Sequence, residues 1–524
     1  MDIFRSLFTI VEKSVHVMKD NGSSLSRVSL WGIFLGLFLF LLAWFFFDLS
    51  PGHPEVTRMF AVAVLMAVWW VTEAVPLAVT ALLPVVLFPL MGIMNGKAVS
   101  STYFNHIIFL FLGGFMVALA MEKWNLHKRI ALRIMMLVGV GPGRILLGFM
   151  IASAFLSMWI SNTATTMMML PIALSIVLEL EETAGSEDTS RYSIAVFLGI
   201  AYAASIGGMA TLVGTPPNLV LVKQLNILFP DAPEISFTEW MILGLPVSLT
   251  MLAIAWTLLY FMYRPKKRWE GLSVKTFRRE YEKLSVWSYE EKVVVVLFIA
   301  LALLWLTRAG INLGGVVIPG WSKLFGHPEY INDGTVAVAI AVILFLIPSR
   351  SRPGDRILDW GTANRLPWNM ILLFGGGFAL AKGFEVSGLS VWFGESLKFM
   401  GQFGEVVILL TIITMMSFLT ELTSNTASTQ MLLPVFAGLA VSIGMNPLLI
   451  MVPVTMAASL AFMLPTATPP NAIVFGSGRI RIRTMIRTGF WLNMAGVLTI
   501  YFYIHLLGMG AMHLHGIALP AWAR

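Results

Sequence analysis

Two polar triplets lie in the middle of long apolar runs and carry groups that bind ions. Residues 161–163 and residues 424–426 both read Ser-Asn-Thr. An Asn amide offers an oxygen to a cation or an N–H to a carboxylate, and oxygen ligands suit a hard cation such as Na⁺. Ser, Asn and Thr are also ordinary helix caps at a turn. Both interpretations can hold together, because free backbone groups gather at a capped turn.

A second pair of motifs predicts interrupted helices. Residues 215–218 and residues 468–471 both read Thr-Pro-Pro-Asn. Each proline removes an N–H donor and crowds the preceding turn, so a helix cannot run through the motif. The interruption leaves carbonyl groups free on one side and N–H groups free on the other, which favour a cation and an anion respectively. A plain proline kink is the alternative for one such motif, but two at equivalent places favour a binding site.

No Lys or Arg lies within these four motifs. Helix dipoles, amides and co-bound cations would have to neutralise a bound anion, so we expect anion binding to depend on cations. Glu421 is ionisable at apparent membrane depth, where charged residues are functional candidates. A carboxylate bonded to backbone N–H groups is an equal alternative for it, and structural roles are favoured for Lys382 and Glu73.

The motifs recur in one order, which predicts an internal repeat. The offset between copies is 263 residues for the triplets and for the glycine-rich runs at 111–120 and 374–383. It is 253 residues for Thr-Pro-Pro-Asn. The difference of ten residues matches the hydrophilic run EETAGSEDTS, which only the first copy contains.

The elements that carry these motifs are apolar enough for a bilayer. Of the 524 residues, 57% are hydrophobic and only 12% are charged, against roughly 25% charged in soluble domains. We expect an all-α integral membrane protein with eleven transmembrane helices and two re-entrant hairpins, since irregular backbone at membrane depth must be surrounded by protein or a wet cavity. The hairpins are expected at 145–178 and 403–443, and the spans at 28–48, 55–73, 76–94, 104–122, 193–228, 237–263, 292–310, 331–348, 368–386, 448–478 and 489–510.

The positive-inside rule orients this map. Most of the 35 Lys and Arg residues fall on one side, above all in the run RPKKRWEGLSVKTFRREYEK. The rule places the N-terminus in the cytoplasm and the C-terminus outside, and it makes the two copies inverted, the layout of many secondary transporters. The predicted domains are a cytoplasmic arm (1–27), scaffold helices (28–142 and 292–401), transport-domain halves (143–263 and 402–510), a basic linker (264–291) and an external tail (511–524).

Several function classes are disfavoured by the sequence. The eight His residues show no metal-ligand spacing and there is no Cys. Neither HExxH nor GxSxG occurs, so no enzyme is predicted. The net charge of +7 reflects basic cytoplasmic loops rather than a nucleic-acid partner. A channel remains an alternative, because broken helices also build selectivity filters.

At these motifs the sequence resembles the divalent-anion–sodium symporter family. The resemblance rests on WWVTEAVPLAVTALLPVVLFP (69–89), SNTATTMMMLPIA (161–173), GTPPN (214–218) and SNTASTQMLLPV (424–435), and it extends from about 55 to 510. It implies import of C4-dicarboxylates, citrate or sulfate with sodium ions across the bacterial inner membrane. It also implies a homodimer in membrane lipid, with a scaffold and a transport domain that moves like an elevator.

The resemblance also implies ligand sets at the matching positions. One sodium site would use Ser157, Ser161, Asn162 and the carbonyl of Gly214, and the other Thr420, Thr423, Asn425 and the carbonyl of Ala467. The substrate-binding set expected at the motifs is Asn162, Thr163, Ser424, Asn425, Thr426, Thr215, Pro216, Thr468 and Pro469. No catalytic residue and no cofactor other than the transported sodium are expected.

Two features favour one branch of that family. Exchangers often carry SNTAR, whereas this chain reads SNTATTMMML after its first triplet. Sulfate-type members often carry large soluble insertions between the halves, whereas the central loop here is confined to 264–291. Both features favour a sodium/dicarboxylate symporter that carries succinate, fumarate or malate. The alternative is a di- or tricarboxylate exchanger, or a citrate or sulfate transporter, of the same fold.

Overall fold

The computed structural model describes residues 27–184, 186–265, 275–284, 286–313, 316–508 and 516–524. Nearly all of the predicted cytoplasmic arm, the first part of the basic linker and the first part of the external tail lie outside the described residues. The described chain is helical almost throughout, as expected from its composition.

Twelve helices make up the first half of the described chain. Proline begins α2, α8 and α11, as its missing N–H would have no partner in the first turn of a helix. The helices are α1 Arg27–Phe46, α2 Pro54–Thr72, α3 Leu77–Thr80, α4 Leu83–Leu90, α5 Gly96–Thr102, α6 His106–Lys123, α7 Leu126–Val138, α8 Pro142–Ser157, α9 Asn162–Ala184, α10 Ser186–Gly208, α11 Pro216–Leu228 and α12 Phe237–Tyr263.

Eleven further helices follow in the described part of the second half. Ser288 begins α14 with a capping box in which its side chain and that of Glu291 satisfy each other's backbone N–H. The helices are α13 Lys275–Glu282, α14 Tyr289–Thr307, α15 Asp333–Leu346, α16 Trp360–Ala363, α17 Trp368–Ser387, α18 Leu389–Leu397, α19 Glu405–Leu419, α20 Asn425–Ser442, α21 Pro447–Ala457, α22 Pro469–Phe475 and α23 Ile482–Tyr503.

One small sheet interrupts the all-α pattern. Strands β1 (Gly310–Leu313) and β2 (Val316–Pro319) pair antiparallel, with Ile311 opposite Ile318. The strands are rich in β-branched residues, which favour extended backbone. The expectation of a helical membrane protein is confirmed, and this hairpin is an addition to it.

Seven helices in the described part of the chain are long and apolar enough to cross a membrane, and six shorter apolar helices accompany them. The total of eleven spans therefore remains a prediction. One predicted span, 76–94, differs in the structure: it forms two short helices, α3 and α4. The prolines at positions 84 and 89 explain the difference, because proline cannot extend a helix from its interior.

Both copies of the repeat show the same succession of elements. A glycine-rich helix, α6 or α17, comes first. A helix–turn–helix that carries the Ser-Asn-Thr triplet follows, formed by α8 and α9 or by α19 and α20. A helix interrupted before Thr-Pro-Pro-Asn comes third, as α10 and α11 or as α21 and α22.

Adjacent glycines in α6 and α17 allow close helix packing. A Cβ atom added at Gly113 would lie 2.5 Å from the Cβ of Ala337, and one added at Gly376 would lie 2.4 Å from the carbonyl oxygen of Ala81. Cβ contacts this short do not occur in folded proteins. These two glycines, which are equivalent in the repeat, therefore bring α6 against α15 and α17 against the segment between α3 and α4.

The second glycine of each pair faces the motif-bearing elements. A Cβ atom added at Gly114 would lie 3.6 Å from the side chain of Val213, whereas one added at Gly377 would lie 2.1 Å from the side chain of Gln430. Val213 belongs to the first helix interruption and Gln430 to α20. Each glycine-rich helix thus separates two groups of elements.

Polar anchors fasten the end of α6 to the loop before α17. Lys123 Nζ lies 3.2 Å from Asp355 Oδ2 and 2.6 Å from Asp359 Oδ2, and the Trp124 indole donates to the carbonyl of Ile357 at 2.7 Å. The hydrogen bond from Lys123 holds the pKa of Asp359 well below its usual range. This loop is therefore fixed beside the C-terminal end of α6.

Candidate functional site

Each Ser-Asn-Thr triplet forms the turn between two helices, and its Asn is the first residue of the second helix. The side-chain oxygen of Asn162 accepts a hydrogen bond from the hydroxyl of Ser157. The side-chain oxygen of Asn425 accepts one from the hydroxyl of Thr420 at 2.6 Å. The donors Ser157 and Thr420 are 263 positions apart, as are the acceptors Asn162 and Asn425. The same contact therefore holds both turns.

The Asn of each Thr-Pro-Pro-Asn motif clamps the helix interruption that precedes it. The amide of Asn218 donates to the carbonyls of Gly208 and Thr211 at 3.3 and 2.7 Å. The amide of Asn471 donates to the two carbonyls that lie 253 residues further along, each at 3.0 Å. The carbonyls of Thr211 and Leu464 also accept a backbone N–H from three residues further on, at 3.4 and 3.2 Å, so each Asn amide reinforces a turn within the interruption. The predicted breaks are therefore present, and each is closed by its own motif.

The four motifs meet at one cavity of about 730 Å³. All nine residues expected to bind substrate line it. They are Asn162, Thr163, Thr215, Pro216, Ser424, Asn425, Thr426, Thr468 and Pro469. The structure thus brings together residues that are as far as 307 positions apart in the sequence.

The oxygens of the first expected sodium set converge beside Gly208. A Cβ atom added at this glycine would lie 2.9 Å from the side-chain oxygen of Asn162 and 3.0 Å from the carbonyl oxygen of Gly214. Ser161 lines the cavity, and Ser157 is buried behind the wall in contact with Asn162. A set made of hydroxyl, amide and carbonyl oxygens fits a hard monovalent cation.

The second expected sodium set is also assembled. Asn425 and Ala467 line the cavity, and Thr420 is buried against the oxygen of Asn425. The hydroxyl of Thr423 contacts that of Ser428. Thr420 and Thr423 lie behind the cavity wall, as Ser157 does. In each expected sodium set, some oxygens therefore face the cavity and others lie behind those oxygens.

Glu421 ties the second triplet to the second helix interruption. Its carboxylate accepts hydrogen bonds from three consecutive backbone N–H groups, those of residues 462–464, at 2.7 to 3.0 Å. The amide of Asn493 donates to it at 2.8 Å, and the residue is buried. The structural alternative for this carboxylate is therefore the one observed, and Glu421 directly follows Thr420, a residue of the second expected sodium set.

The first copy has a different tie at the equivalent position. Met158 stands where the second copy has Glu421, and its carbonyl accepts a hydrogen bond from the hydroxyl of Thr211 at 2.6 Å. Sequence reasoning did not single out Thr211. Its distance of four residues from Thr215 was the only available signal.

Charged side chains lie on the cavity wall away from the motifs. Glu73, Glu122 and Arg365 are the charged residues among the described lining residues. Glu73 is exposed at the end of α2 with a left-handed backbone, φ 46°. Lys382 pairs with Glu385 and is absent from the lining. The four motifs themselves thus contribute no basic side chain, and the basic residue of the described lining, Arg365, is outnumbered by Glu73 and Glu122.

The family model and the relatives that match this sequence indicate the same family. A model of the sodium:sulfate symporter transmembrane region matches residues 27–513. The sodium-dependent dicarboxylate transporter SdcS of Staphylococcus saprophyticus is 43% identical over 495 residues, which cover 93% of both chains. SdcS of Staphylococcus aureus strain RF122 is 44% identical over 486 residues, covering 92% of this chain and 91% of the relative.

Two solved structures share the fold at low sequence identity. MtrF of Neisseria gonorrhoeae, described as one of a class of antimetabolite efflux pumps, has a TM-score of 0.56 at 14% identity and covers 92% of this chain and 99% of its own. The YdaH transporter of Alcanivorax borkumensis has a TM-score of 0.51 at 13% identity, covering 92% and 97%. At such identities the similarity concerns the fold alone.

Proposed function

The chain belongs to the sodium:sulfate symporter family, and we propose that it imports C4-dicarboxylates such as succinate, fumarate and malate by symport with sodium ions. The observation that carries this proposal is the meeting of both triplets and both Thr-Pro-Pro-Asn motifs at one cavity. Relatives that share over 40% identity along nearly the whole chain are named sodium-dependent dicarboxylate transporters.

The chemistry of the cavity supports coupling between anion and cation. Amides, hydroxyls and backbone groups of the four motifs line the cavity, and its described lining holds one basic side chain, Arg365, against two carboxylates, Glu73 and Glu122. Bringing a dicarboxylate into such a site without neutralisation is costly, because charge transferred from water to a less polar medium loses its solvation. Two sodium ions bound at the triplets on either side of the cavity would supply that neutralisation. Substrate and cation would then bind together and move together.

The proposal extends to the orientation and the movement of the protein. We place the N-terminus in the cytoplasm and the C-terminus outside, with the triplets at the tips of two oppositely oriented re-entrant hairpins. The repeated hydrogen bonds at offsets of 253 and 263 residues support a structural repeat, and the distribution of positive charge supports its inversion. A homodimer with fixed scaffold helices and an elevator-like transport domain follows from the family resemblance.

Uptake of radiolabelled succinate into proteoliposomes tests the function. An inward sodium gradient is compared with an inward potassium gradient of the same size. We expect uptake with sodium alone, and Asn162→Ala and Asn425→Ala proteins in the same vesicles serve as inactive controls. Uptake that appears only after the vesicles are preloaded with dicarboxylate would indicate an exchanger instead.

Sulfate is the second candidate substrate, because the matching family model is named for sodium:sulfate symport. Competition by unlabelled sulfate and citrate against labelled succinate separates the candidates. Sodium-driven uptake of labelled sulfate, with no uptake of labelled succinate, would overturn the dicarboxylate assignment.

A further inference from the structure

A second cavity of about 410 Å³ lies beside the main cavity. Glu122, Ile160 and Arg365 line both cavities, so the two are separated only by shared side chains. Ile160 immediately precedes the first triplet, and the second cavity therefore reaches the back of the turn that carries Asn162. By the distribution of positive charge, this end of the molecule faces the cytoplasm.

The lining of the second cavity is more basic than that of the main cavity. Lys128 and Arg365 line it together with a single carboxylate, that of Glu122. His127 also lines it, but burial lowers the pKa of this imidazole to about 4, so it is neutral at physiological pH. The charged groups of the lining thus sum to a net positive charge.

These basic groups are free to bind a ligand. Lys128 is exposed and makes no ion pair within the described chain, unlike its neighbour Lys123, which is fully engaged by two aspartates. Arg365 has 62% of its side chain exposed and lies 3.6 Å from Glu122, which is beyond ordinary hydrogen-bond length. A carboxylate of a ligand can therefore compete with Glu122 for this guanidinium.

A buried hydroxyl adds a neutral donor to the same lining. Thr165 lines the second cavity and is 2% exposed. Its Oγ1 has no hydrogen-bond partner among the described residues. Buried hydroxyls are normally satisfied, so an unpaired one at a cavity wall indicates a missing partner. It lies on α9, one turn after Asn162.

We propose that this second cavity is an anion-binding antechamber, where a dicarboxylate pauses between the cytoplasm and the central site. Lys128 and Arg365 bind its carboxylates, and Arg365 passes from Glu122 to the substrate because it lies on the wall of both cavities. The inference rests on the proposed function. It adds a second, weaker substrate site that acts on the cytoplasmic face only.

The test measures succinate affinity separately on the two faces. Everted membrane vesicles expose the cytoplasmic face to labelled succinate, and right-side-out vesicles expose the opposite face. Arg365→Gln and Lys128→Gln each remove one exposed charge contact, so we expect the half-saturating succinate concentration at the cytoplasmic face to rise about two- to five-fold, with roughly additive effects. At the outer face we expect no change with Lys128→Gln, because Lys128 lines only the second cavity. Arg365→Lys should retain most of the affinity.

Glu122→Gln distinguishes binding from a structural role. If Arg365 serves as an anion site, removal of its competitor lowers the half-saturating concentration at the cytoplasmic face, the opposite of the effect of Arg365→Gln. If the pair only holds the loop in place, both variants change affinity in the same direction, which overturns the proposal. Raising the ionic strength with choline chloride should also reduce the effect of Arg365→Gln, since exposed charges are screened beyond about 10 Å at 0.1 M.

Controls separate this proposal from the proposed function. Arg133→Gln removes an exposed charge from the same helix as Lys128 but lines neither cavity, and we expect it to transport like the wild type. Wild-type vesicles that show no sodium-driven succinate uptake would overturn the proposed function itself. Normal wild-type transport, with unchanged cytoplasmic-face affinity in Arg365→Gln, Lys128→Gln and Glu122→Gln, would overturn the antechamber alone.

Discussion

The two interrupted helices carry the same motif but are held open in different ways. In the first, the helix continues to Gly208, and the next two N–H groups bond to carbonyls three residues earlier, at 3.2 and 3.0 Å. In the second, the helix ends at Ala457, and the three N–H groups at 462–464 bond to Glu421. The equivalent position in the first copy is Met158, which offers only its carbonyl.

This difference shows which residues determine each end of an interruption. Thr-Pro-Pro-Asn starts the second helical segment at the same place in both copies, since proline is tolerated only in a first turn. The end of the first segment depends on a residue outside the motif. A carboxylate that accepts three N–H groups allows the helix to stop one turn earlier, because those groups no longer need helical partners.

Loss of the Asn side chain in either triplet is expected to have the largest effect. Under the proposed function, Asn162→Ala and Asn425→Ala each remove an oxygen from an expected sodium set and an expected contact with substrate. A hydrogen bond to a charged group contributes about 1.5–3 kcal/mol, so losing several such contacts should reduce sodium-driven succinate uptake to background. Size-exclusion chromatography should show folded protein in both cases. Normal sodium-coupled uptake by one variant would mean that only one half of the pocket works.

Glu421→Gln is expected to impair strongly the part of the pocket that the second triplet and the second interrupted helix form. An amide at this position would keep one acceptor oxygen but turn its N–H₂ towards at least one of the four donors, and leaving a buried N–H group unpaired costs roughly 1–3 kcal/mol. We expect a lower thermal midpoint in detergent and a rise of at least about ten-fold in the half-saturating sodium concentration, the equivalent of roughly 1.4 kcal/mol.

Met158→Leu is the matched control for Glu421→Gln, because it alters the equivalent position without changing any polar contact of the side chain. A swap of similar volume costs less than about 1.5 kcal/mol. Equal loss of sodium affinity in both variants would contradict the view that the two interruptions are held differently.

The clamp residues should behave alike in the two copies. Asn218→Asp and Asn471→Asp keep the shape of the side chain but lose both hydrogen bonds to backbone carbonyls. We expect each to lower the free energy of unfolding by roughly 2–3 kcal/mol, about 1 kcal/mol for each bond plus repulsion between oxygens. Thermal unfolding in detergent measures the shifts. A neutral result at one position would show that its interruption is closed by other contacts.

A smaller, pH-dependent effect is expected at Glu290, a carboxylate outside the pocket that caps residues 349–351 as Glu421 caps 462–464. Burial acts to raise its pKa, but hydrogen bonds from the N–H groups of Ser351 and Arg350 and from the hydroxyl of Ser349 outweigh it and lower the pKa to about 2. A lowered pKa stabilises the fold fully above the unfolded value, about 4.3, and the contribution is lost as the pH falls towards 2.

Glu290→Gln should therefore lower the thermal midpoint equally between pH 5 and pH 8. The difference from the wild type should shrink below about pH 4, where the unfolded carboxyl becomes protonated. Succinate uptake should be unchanged, because Glu290 does not line the main cavity. A strong effect on uptake would show that this anchor is coupled to the pocket.

The sequence predicted the pocket better than it predicted the supports of that pocket. Repeated triplets and proline motifs indicate convergence, because two copies of a motif at a constant offset imply equivalent positions in space. All nine expected substrate residues line the main cavity. The roles of Thr211 and Glu421 could not be predicted, because they depend on which backbone N–H groups the fold brings near each side chain.

Short helices and strands were also predicted poorly from the sequence. Apolarity alone suggested one span at 76–94, whereas the structure has α3 and α4. The positions of the prolines could have predicted the short helix α4, because Pro84 lies in its first turn and Pro89 lies next to its last residue. The strands β1 and β2 lie in an apolar stretch that is too short for a span. Such a stretch gives no period by which strand and helix can be distinguished.

The paired glycines of α6 and α17 have a mechanical consequence. Interdigitated side chains must disengage before one helix can slide past another, whereas a glycine presents no ridge to its neighbour. Gly377 leaves room for the side chain of Gln430, while Gly376, about 100° further round the helix, is in backbone contact with Ala81. Because the Gln430 amide also donates to the carbonyl of Leu373 at 3.0 Å, any movement of α20 along α17 would first have to break this contact.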